Sequence, residues 1–417
     1  MVNLSNKSVL IYDMGLFTEL AARLARDFGK VYYFVPWEEA FPRAHRALVG
    51  HDFDGIERVL NFDEYVDKVD MIYAPDTHSG GRVDYLRRHG YPVFGAGKVE
   101  KLEVDRYYAR ELGKTLGLRT QHTEKVRGLK KLRAYLDAHH NVYVKINIFR
   151  GEVESFLAPS RKLVEPLLDE IATEFGPAQE ELEFVVEEEV GRVEPGWDGL
   201  VLNGEYLSPT TYGYELPPAV YICKVVPYED IPPSLADVNE KFAPVFKQQK
   251  ICSHVSTEIR LDSPEEYYVI DWTIRMGAPG PAAVQSELIT NYSEVVWAMA
   301  HGELPTPIME PDVVYAATIA FGTDWAEKHW LNVNFPKDMR RWVKFRKAAR
   351  YDNLYFAVPG MPNVCNVVEF GTSIKTILKN LEKKMKEVEG YGLDKPTINI
   401  PSILETIEEG TMMGIDF

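Results

Sequence analysis

Residues 254–281, HVSTEIRLDSPEEYYVIDWTIRMGAPGP, contain two strand-type runs on either side of a turn-type segment. The runs HVSTEIRL and YYVIDWTIRM are rich in β-branched and aromatic residues, and DSPEE between them has the Asp, Ser and Pro of a turn. We therefore predict a β-hairpin. If Leu261 pairs with Tyr267 or Tyr268, Glu258 lies opposite Asp271 with the two Cβ atoms roughly 5 Å apart.

This predicted hairpin opposes two carboxylates, which repel each other unless a cation lies between them. Asp271, Thr273 and Arg275 share one face of the second strand, because side chains alternate along a strand. Carboxylates that share a divalent cation are typical of a magnesium–nucleotide site. A solvated sheet face, with Arg275 neutralising Asp271, accounts for the same residues.

Residues 271–279, DWTIRMGAP, resemble the E-x-N-x-R-x-G-x-P signature of the ATP-grasp ligases, in particular the glycinamide ribonucleotide synthetases. Glu258 resembles the first metal carboxylate of that superfamily. The resemblance implies Mg²⁺ or Mn²⁺ bound by Glu258, Asp271 and Thr273. Asp271 and Thr273 replace the family's Glu and Asn but keep oxygen ligands. Ala278 and Gly280 replace acidic residues of the synthetases, which indicates a substrate other than phosphoribosylamine.

Composition limits the possible compartment and partners. The chain has 417 residues, 45% of them hydrophobic, and a formal net charge of −16 that repels nucleic acid at long range. Its three cysteines have no CxxC spacing, which favours a reducing compartment over a disulfide framework or a zinc site. The polar N-terminus is unlike a signal peptide, and no apolar run reaches the ~20 residues that span a bilayer. We expect a cytoplasmic protein.

Strands alternate with helices through the first hundred residues, which predicts an open parallel sheet. The expected fold class is α/β (α+β), and the resemblance implies a two-lobed ATP-grasp domain after that sheet. The expected divisions are an N-terminal α/β substrate domain (1–100), a linker helix with the first lobe (101–190), a second lobe with the metal hairpin (191–304) and a small mixed C-terminal domain (305–417).

Two basic residues are candidates for binding ATP phosphates. Arg106 lies in a helix predicted over residues 98–118, within a segment, EVDR, that resembles the E-x-S/D-K/R segment of ATP-grasp enzymes. An arginine on the helix surface, paired with Glu103, is the alternative. Lys145 projects from the strand NVYVKINIF, whose other face is apolar, and a lysine there is seldom buried unless it is paired. The resemblance implies an ATP phosphate as the partner of both.

The remaining nucleotide residues come from two later segments. Residues 150–155, RGEVES, stand where the family has a glycine-rich flap, so Ser155 is a candidate phosphate ligand. VVEEEV at 185–190 resembles the family's adenine hinge, which implies backbone contacts around Glu187, Glu188 and Val190 and a ribose contact from Glu194. A solvated strand end is the alternative for the three glutamates.

Substrates of an open parallel sheet bind at the carboxyl ends of its strands, where this chain has Asp13, Asp76, Thr77 and His78. The resemblance adds Arg275 to this N-terminal mouth. Two aspartates suit an amine better than a phosphate, which needs cations or a row of backbone N–H groups. We therefore expect a cationic amine there.

A basic segment at residues 337–350, KDMRRWVKFRKAAR, predicts a helix. Its cations at helical spacing are Lys337, Arg340, Arg341, Lys344 and Lys347. A solvated helix face is one interpretation of these residues, and an anionic substrate or partner is the other.

The resemblance implies an ATP-dependent C–N ligase that activates a small carboxylate as an acyl phosphate and joins it to an amine. Lys145, Arg106 and Arg275 are the expected catalytic cations. Glycinamide ribonucleotide synthetase activity itself and a degenerate nucleotide-binding or partner-binding protein are the alternatives. We expect no membrane association, and the sequence leaves the oligomeric state open.

Overall fold

The N-terminal part of the chain forms a parallel sheet with helices. The computed structural model describes residues 3–35, 48–147 and 155–417. The first elements are β1 (Ser8–Tyr12), α1 (Thr18–Leu24), β2 (Lys30–Phe34), β3 (Glu57–Arg58), β4 (Met71–Ala74), α2 (Gly80–Arg88) and β5 (Val93–Gly95). These strands are ordered β5-β4-β1-β2-β3, and every neighbouring pair is parallel. The apolar runs of β1 and β4 are buried, as expected of strands covered on both faces. The predicted parallel sheet is confirmed.

The next segment forms a small antiparallel sheet with two covering helices. Its elements are α3 (Lys101–Val104), α4 (Arg106–Thr115), β6 (Thr123–Arg127), α5 (Leu129–Ala138), β7 (Val142–Ile146), β8 (Ser155–Ala158), α6 (Arg161–Phe175) and β9 (Glu183–Glu188). The strand order is β6-β9-β7-β8. Leucines spaced along one face of α5 pack with α6 in a separate hydrophobic core.

The single helix predicted over residues 98–118 is wrong, because the chain breaks at Asp105. The Asp105 carboxylate accepts the backbone N–H of Tyr108 at 3.0 Å and so caps the start of α4. Aspartate is among the favoured residues at a helix N-cap because its side chain satisfies an otherwise unpaired N–H group. The break puts Arg106 in the first turn of α4 and turns its side chain inward.

The third segment forms the antiparallel centre of the molecule. Its elements are β10 (Pro195–Leu202), β11 (Glu205–Tyr206), β12 (Thr210–Leu216), β13 (Val220–Val226), α7 (Pro233–Gln248), β14 (Cys252–Ser263), β15 (Glu266–Thr273), α8 (Gly280–Leu288) and α9 (Tyr292–Ala300). The strands follow the order β13-β12-β10-β14, and β15 pairs with β14. Cys252 on β14 pairs with Gly95 on β5, so the central and N-terminal strands form one sheet.

The C-terminal segment extends the same sheet. Its elements are β16 (Tyr315–Gly322), α10 (Trp325–Lys328), β17 (Leu331–Val333), β18 (Val343–Phe345), β19 (Ala348–Tyr351), β20 (Leu354–Ala357), β21 (Asn363–Gly371), α11 (Ile374–Glu387) and α12 (Ile400–Met412). β16 pairs with β13 on one side and β21 on the other. Within the ranges described, no helix combines the length and the apolar character needed to cross a membrane.

The basic helix predicted at residues 337–350 is wrong, because this stretch forms a short 3-10 turn followed by β18 and β19. Its cations mostly meet carboxylates of other segments. Lys344 is buried, with its Nζ 2.5 Å from Glu287 Oε1, and Arg341 lies 3.0 Å from the same carboxylate. Arg340 lies 2.7 Å from Asp54. Ion pairs with residues distant in the sequence thus determine the structure here, and the helical spacing of the cations does not. The same ion pairs join the C-terminal segment to α8 and to the N-terminal part of the chain.

Candidate active site

The hairpin has the register that the sequence predicts. Glu258 on β14 lies opposite Asp271 on β15, Ser256 lies opposite Thr273, and Leu261 lies opposite Tyr267. Burial raises the pKa of Glu258 well above its usual range, and the nearby carboxylates, chiefly Glu215 and Asp271, raise it further. A cation at this pair of carboxylates would relieve that repulsion.

Lys145 is held beside the hairpin by a buried glutamate. Its Nζ lies 3.2 Å from Glu187 Oε2 and 3.8 Å from Asp271 Oδ2, and it donates to the Ile270 carbonyl at 3.1 Å. Arg110 approaches the other side of Glu187, with Nε 2.6 Å from Oε1. Burial alone would raise the pKa of Glu187, but Arg110 and Lys145 lower it to about 2. The buried glutamate therefore stays ionised and orients both cations.

Arg106 is buried, so it is not the helix-surface arginine of the alternative interpretation. It donates to the Ile146 carbonyl at 3.1 Å, and its Nε lies 3.8 Å from Asp271 Oδ2. Glu103 pairs instead with Arg275, at 2.9 Å between Oε1 and Nε, and accepts the Ile274 N–H at 2.7 Å. The structure thus brings Arg106 and Lys145 to Asp271 from two different elements.

One cleft of about 540 Å³ collects most of the predicted nucleotide and metal residues. The cleft lies between the small antiparallel sheet and the hairpin. The predicted residues in its wall are Lys145, Ser155, Glu187, Glu188, Val190, Glu194, Glu258 and Asp271. Arg106 does not line the cleft but contacts it through Asp271.

The predicted hinge lies at the end of β9. Glu187 pairs with Thr123 on β6 and with Tyr143 on β7, so its backbone belongs to the sheet. Glu188 ends the strand, and the chain then passes Val190 along the cleft. Glu194 is held by Arg260, with both Nε and Nη2 at 2.6 Å from Oε2. Contacts of these residues with a nucleotide stay predictions.

The predicted flap lies mostly outside the described residues. Of residues 150–155, only Ser155 is described, at the start of β8, where it pairs with Lys145 on β7. Its position opposite the lysine puts its hydroxyl at the cleft.

Three further cleft or near-cleft residues were missed by the sequence reasoning. Arg110 follows Arg106 by four residues, so helical periodicity could have indicated it. Arg260 follows Glu258 by two residues, so strand alternation could have indicated it. Gln121 is buried in the cleft, and its Oε1 accepts no hydrogen bond within the described part of the chain. No spacing in the sequence identifies Gln121.

The N-terminal mouth contains the two predicted aspartates and Arg275. Asp13 is fully buried, and its carboxylate accepts the Phe17 N–H at 2.9 Å and the Tyr33 hydroxyl. Asp76 lies 3.5 Å from Arg275 Nε, and burial raises its pKa to about 6. Thr77 is buried and donates its N–H to Asp76, while His78 is exposed. Arg275 thus pairs with both Asp76 and Glu103, and binding of an amine at this mouth stays a prediction.

Arg346 adds a second guanidinium near this mouth. Its Nε and Nη1 are buried and have no hydrogen-bond acceptor among the described residues. Burial and the neighbouring Arg275 lower its pKa to about 10, although Asp76 and Asp13 act in the opposite direction. This arginine belongs to the basic segment at residues 337–350, so one cation of that segment does face a candidate substrate region.

The chain is similar to solved enzyme structures along almost its whole length. Phosphoribosylamine–glycine ligase from Thermotoga maritima is 15% identical, with a TM-score of 0.67 over 93% of this chain and 98% of that chain. The biotin carboxylase domain of 2-oxoglutarate carboxylase from Hydrogenobacter thermophilus, in complex with MgADP, ADP and bicarbonate, is 13% identical, with a TM-score of 0.64 over 99% and 96%. L-amino acid ligase from Bacillus licheniformis is 16% identical, with a TM-score of 0.57 over 93% and 98%.

No protein-family model and no curated protein matches the chain by sequence. These three structures are all members of the ATP-grasp superfamily. At sequence identities of 13% to 16%, the similarity shows the fold alone. This chain has the ATP-grasp fold.

Proposed function

We propose that the protein is a cytoplasmic, ATP- and Mg²⁺-dependent carboxylate–amine ligase that forms an amide through an acyl phosphate. The observation that carries the proposal is one cleft in which Asp271 has Glu258 opposite it and the cations of Lys145 and Arg106 within 3.8 Å. The three cysteines are buried thiols, which suits a reducing compartment.

The residues present fit Mg²⁺ and ATP. Mg²⁺ in nucleotide sites is bound by one or two carboxylates together with phosphate oxygens and water. Glu258 and Asp271 supply two carboxylates, and Thr273 lies beside them on the same strand face. Within the ranges described, no cluster of three or more His, Cys, Asp or Glu side chains could hold a metal alone, which agrees with a metal shared with phosphate. ATP supplies the phosphoryl group that activates the substrate carboxylate.

The protein's own side chains supply positioning and charge. Glu187 holds Lys145 at the cleft, and the Ile146 carbonyl holds Arg106, so neither cation needs to reorganise to meet a phosphate. Arg275, fixed by Glu103, and the buried Arg346 are suited to the carboxylate of the acid substrate. Asp76, Thr77 and His78 complete that side of the site, while the buried Asp13 orders its loop.

The similar structures support this reaction class. They include two amide-forming ligases and a carboxylase solved with MgADP. The alternative of glycinamide ribonucleotide synthetase activity predicts turnover of phosphoribosylamine with glycine. The alternative of a degenerate ATP-grasp protein predicts nucleotide binding without ADP release.

The test combines binding and turnover. Mg²⁺-ATP should stabilise the folded chain by about 2.7 kcal/mol at a ligand concentration of 100 Kd, seen as a rise in Tm. ADP release should then depend on a matched acid and amine from a panel. Lys145→Met should weaken Mg²⁺-ATP binding, whereas Lys131→Met, an exposed lysine on α5, should not. An unchanged Tm at millimolar Mg²⁺-ATP, in a sample shown to be folded, would contradict the proposal.

A further inference from the structure

A second cavity of about 660 Å³ lies directly beside the nucleotide cleft and shares Glu194 and Glu258 with it. Its floor is one face of the central sheet, where Gly213, Gly196 and Glu258 lie side by side on β12, β10 and β14. A Cβ atom on Gly196 would lie 3.6 Å from Glu258 Cγ, and one on Gly213 would collide with the Ile222 carbonyl at 1.9 Å. Gly196 therefore leaves space next to Glu258, and Gly213 allows close approach of the β13 backbone.

The walls of this cavity carry carboxylates that are not balanced by cations. Asp198 is buried and accepts the Tyr221 hydroxyl at 2.6 Å and the Ser256 hydroxyl, and burial raises its pKa. Glu215 forms no hydrogen bond or ion pair within the ranges described, and its accessible surface faces the cavity. Its side chain is exposed, yet partial desolvation raises its pKa, and with Asp198 and Glu194 acting in the same direction the value is about 7.

The cavity has little positive charge of its own. In the described part of the chain, Arg275 is the cation in its lining, and that guanidinium is already paired with Glu103 and Asp76. Glu194 is the carboxylate that has an arginine partner, Arg260. Glu258 is a ligand of the proposed Mg²⁺, whereas Glu215 and Asp198 face the same space without a balancing cation among the described residues. A positively charged ligand is what this space selects.

The shape favours an organic cation over a second metal ion. The hydroxyl donors of Tyr221 and Ser256 already occupy oxygens of Asp198, which would compete with a metal. No three carboxylates of the described residues converge at metal-binding spacing. A volume of about 660 Å³ is also far larger than a metal ion needs. The roof of Gly277, Ala278 and Pro281 is apolar and suits methylene groups.

A third cavity of about 800 Å³ adjoins the second cavity, because Glu215 and Tyr221 line both of them. Its wall is formed by the backbone and small side chains of residues 216–220 and by Pro279, Gly280 and Ala320. The amides of Asn363 and Asn366 are at its edge, and no charged side chain other than Glu215 lines it among the described residues. A ligand bound at Glu215 can thus extend a mainly apolar substituent into this cavity.

We propose that the acceptor is a primary amine with an extended, mainly apolar substituent, and that Glu215 binds its ammonium group in the second cavity while the substituent lies in the third. This inference rests on the proposed ligase function and assigns its amine subsite. A phosphorylated amine is disfavoured, because a phosphate would meet carboxylates rather than cations in both cavities. The acid substrate is left to Arg275, at the border of the second cavity, and to Arg346.

The probe is butylammonium, compared with the neutral 1-butanol, in the full chain at pH 8 with saturating Mg²⁺-ATP. Calorimetric titration should show that butylammonium binds and that Glu215→Gln weakens its binding by at least about tenfold, since an ion pair is lost. The matched control is Glu205→Gln, an exposed glutamate on β11, which should bind butylammonium like the native chain. 4-Phenylbutylammonium should bind more tightly than butylammonium, and Ala219→Trp should remove that advantage by filling the third cavity.

Each outcome separates this inference from the proposed function. Equal binding of butylammonium and 1-butanol, or unchanged butylammonium binding in Glu215→Gln, overturns the inference while Mg²⁺-ATP binding leaves the ligase proposal standing. Mn²⁺ binding that is lost in Glu215→Gln, without any binding of butylammonium, would show a second metal site instead. Failure of the native chain to bind Mg²⁺-ATP would contradict the proposed function itself.

Discussion

Glu187 and Glu215 are two glutamates in adjoining parts of the site, and they differ in their exposure and in their neighbours. Glu187 has Arg110 and Lys145 in contact, and its pKa is lowered to about 2 although burial acts against this. Glu215 has no cation in contact within the described residues, and partial desolvation raises its pKa to about 7. A buried carboxylate with its own cations positions those cations, whereas a carboxylate without cations is available to a ligand.

The two glutamates also oppose each other in their effect on stability. Glu187 has a lower pKa in the folded chain than its usual 4.5, so its stabilising effect is present above pH 4.5 and is lost as pH falls toward 2. Glu215 has a higher pKa in the folded chain, so its effect is present below pH 4.5 and is lost as pH rises through about 7. The paired side of the site thus loses stability in acid, and the side that contains Glu215 loses stability as pH rises through about 7.

We expect the largest effect on activity at Asp271, which has Arg106 and Lys145 on one side and Glu258 opposite it. Asp271→Asn should lower Mg²⁺-dependent turnover by about 10³-fold, because one carboxylate of the proposed metal pair loses its charge. The fold should persist, since the contacts of Asp271 with Arg106 and Lys145 are long, at 3.8 Å, and its removal relieves Glu258. Steady-state kinetics with Asp262→Asn, at the exposed hairpin turn, is the control. Full activity of Asp271→Asn would leave the hairpin with a structural role only.

The next effect tests the paired side through stability. Arg110→Met leaves Glu187 buried with Lys145 alone, and breaking a buried ion pair in this way costs about 3–5 kcal/mol. Urea unfolding should show that loss as a lower midpoint. Arg127→Met removes an exposed pair with Glu181 and should leave the midpoint nearly unchanged, because solvent screens exposed ion pairs. If the two variants unfold alike, the Glu187 cluster does not hold the site together.

Much of the fold follows from local patterns in the sequence. The buried runs of β1 and β4 predict parallel strands, and the turn chemistry between β14 and β15 predicts the register that opposes Glu258 and Asp271. The prediction of one helix over residues 98–118 is wrong because Asp105 acts as an N-cap and starts a second helix there. The prediction of a helix in the basic segment is wrong for a different reason. Lys344 is buried in an ion pair with Glu287, a residue far away in the sequence, and helical spacing carries no information on such a partner.

The proposed nucleotide side of the site was more predictable from the sequence than the proposed amine side. Lys145, Glu258 and Asp271 stand out because a charged residue interrupts an apolar strand or faces another charge across a hairpin. Glu215 and Asp198 belong to strands of a proline- and tyrosine-rich region, and only the pairing of β10 with β12 and of β12 with β13 brings them to one face. Their proximity depends on the order of the strands in the sheet, and the spacing of residues along the chain does not predict that order.

The smallest effect tests the unpaired side. Glu215→Gln removes a group that is more stable protonated in the folded chain, so the Tm of the variant relative to the native chain should rise between pH 5 and pH 8. Asp76 and Glu100 also have raised pKa values, but both proteins contain them, so they cancel in the difference. Glu258 does not cancel, because Glu215 helps to raise its pKa; removing Glu215 relieves that repulsion and changes the difference in the same direction. Glu205→Gln should show a difference that does not change with pH. Butylammonium at pH 8 should stabilise the native chain and shrink the Glu215→Gln difference, because the ammonium supplies the missing charge. A flat pH dependence for Glu215→Gln would mean that water or a neighbouring group already balances Glu215, and the contrast with Glu187 would lose its physical basis.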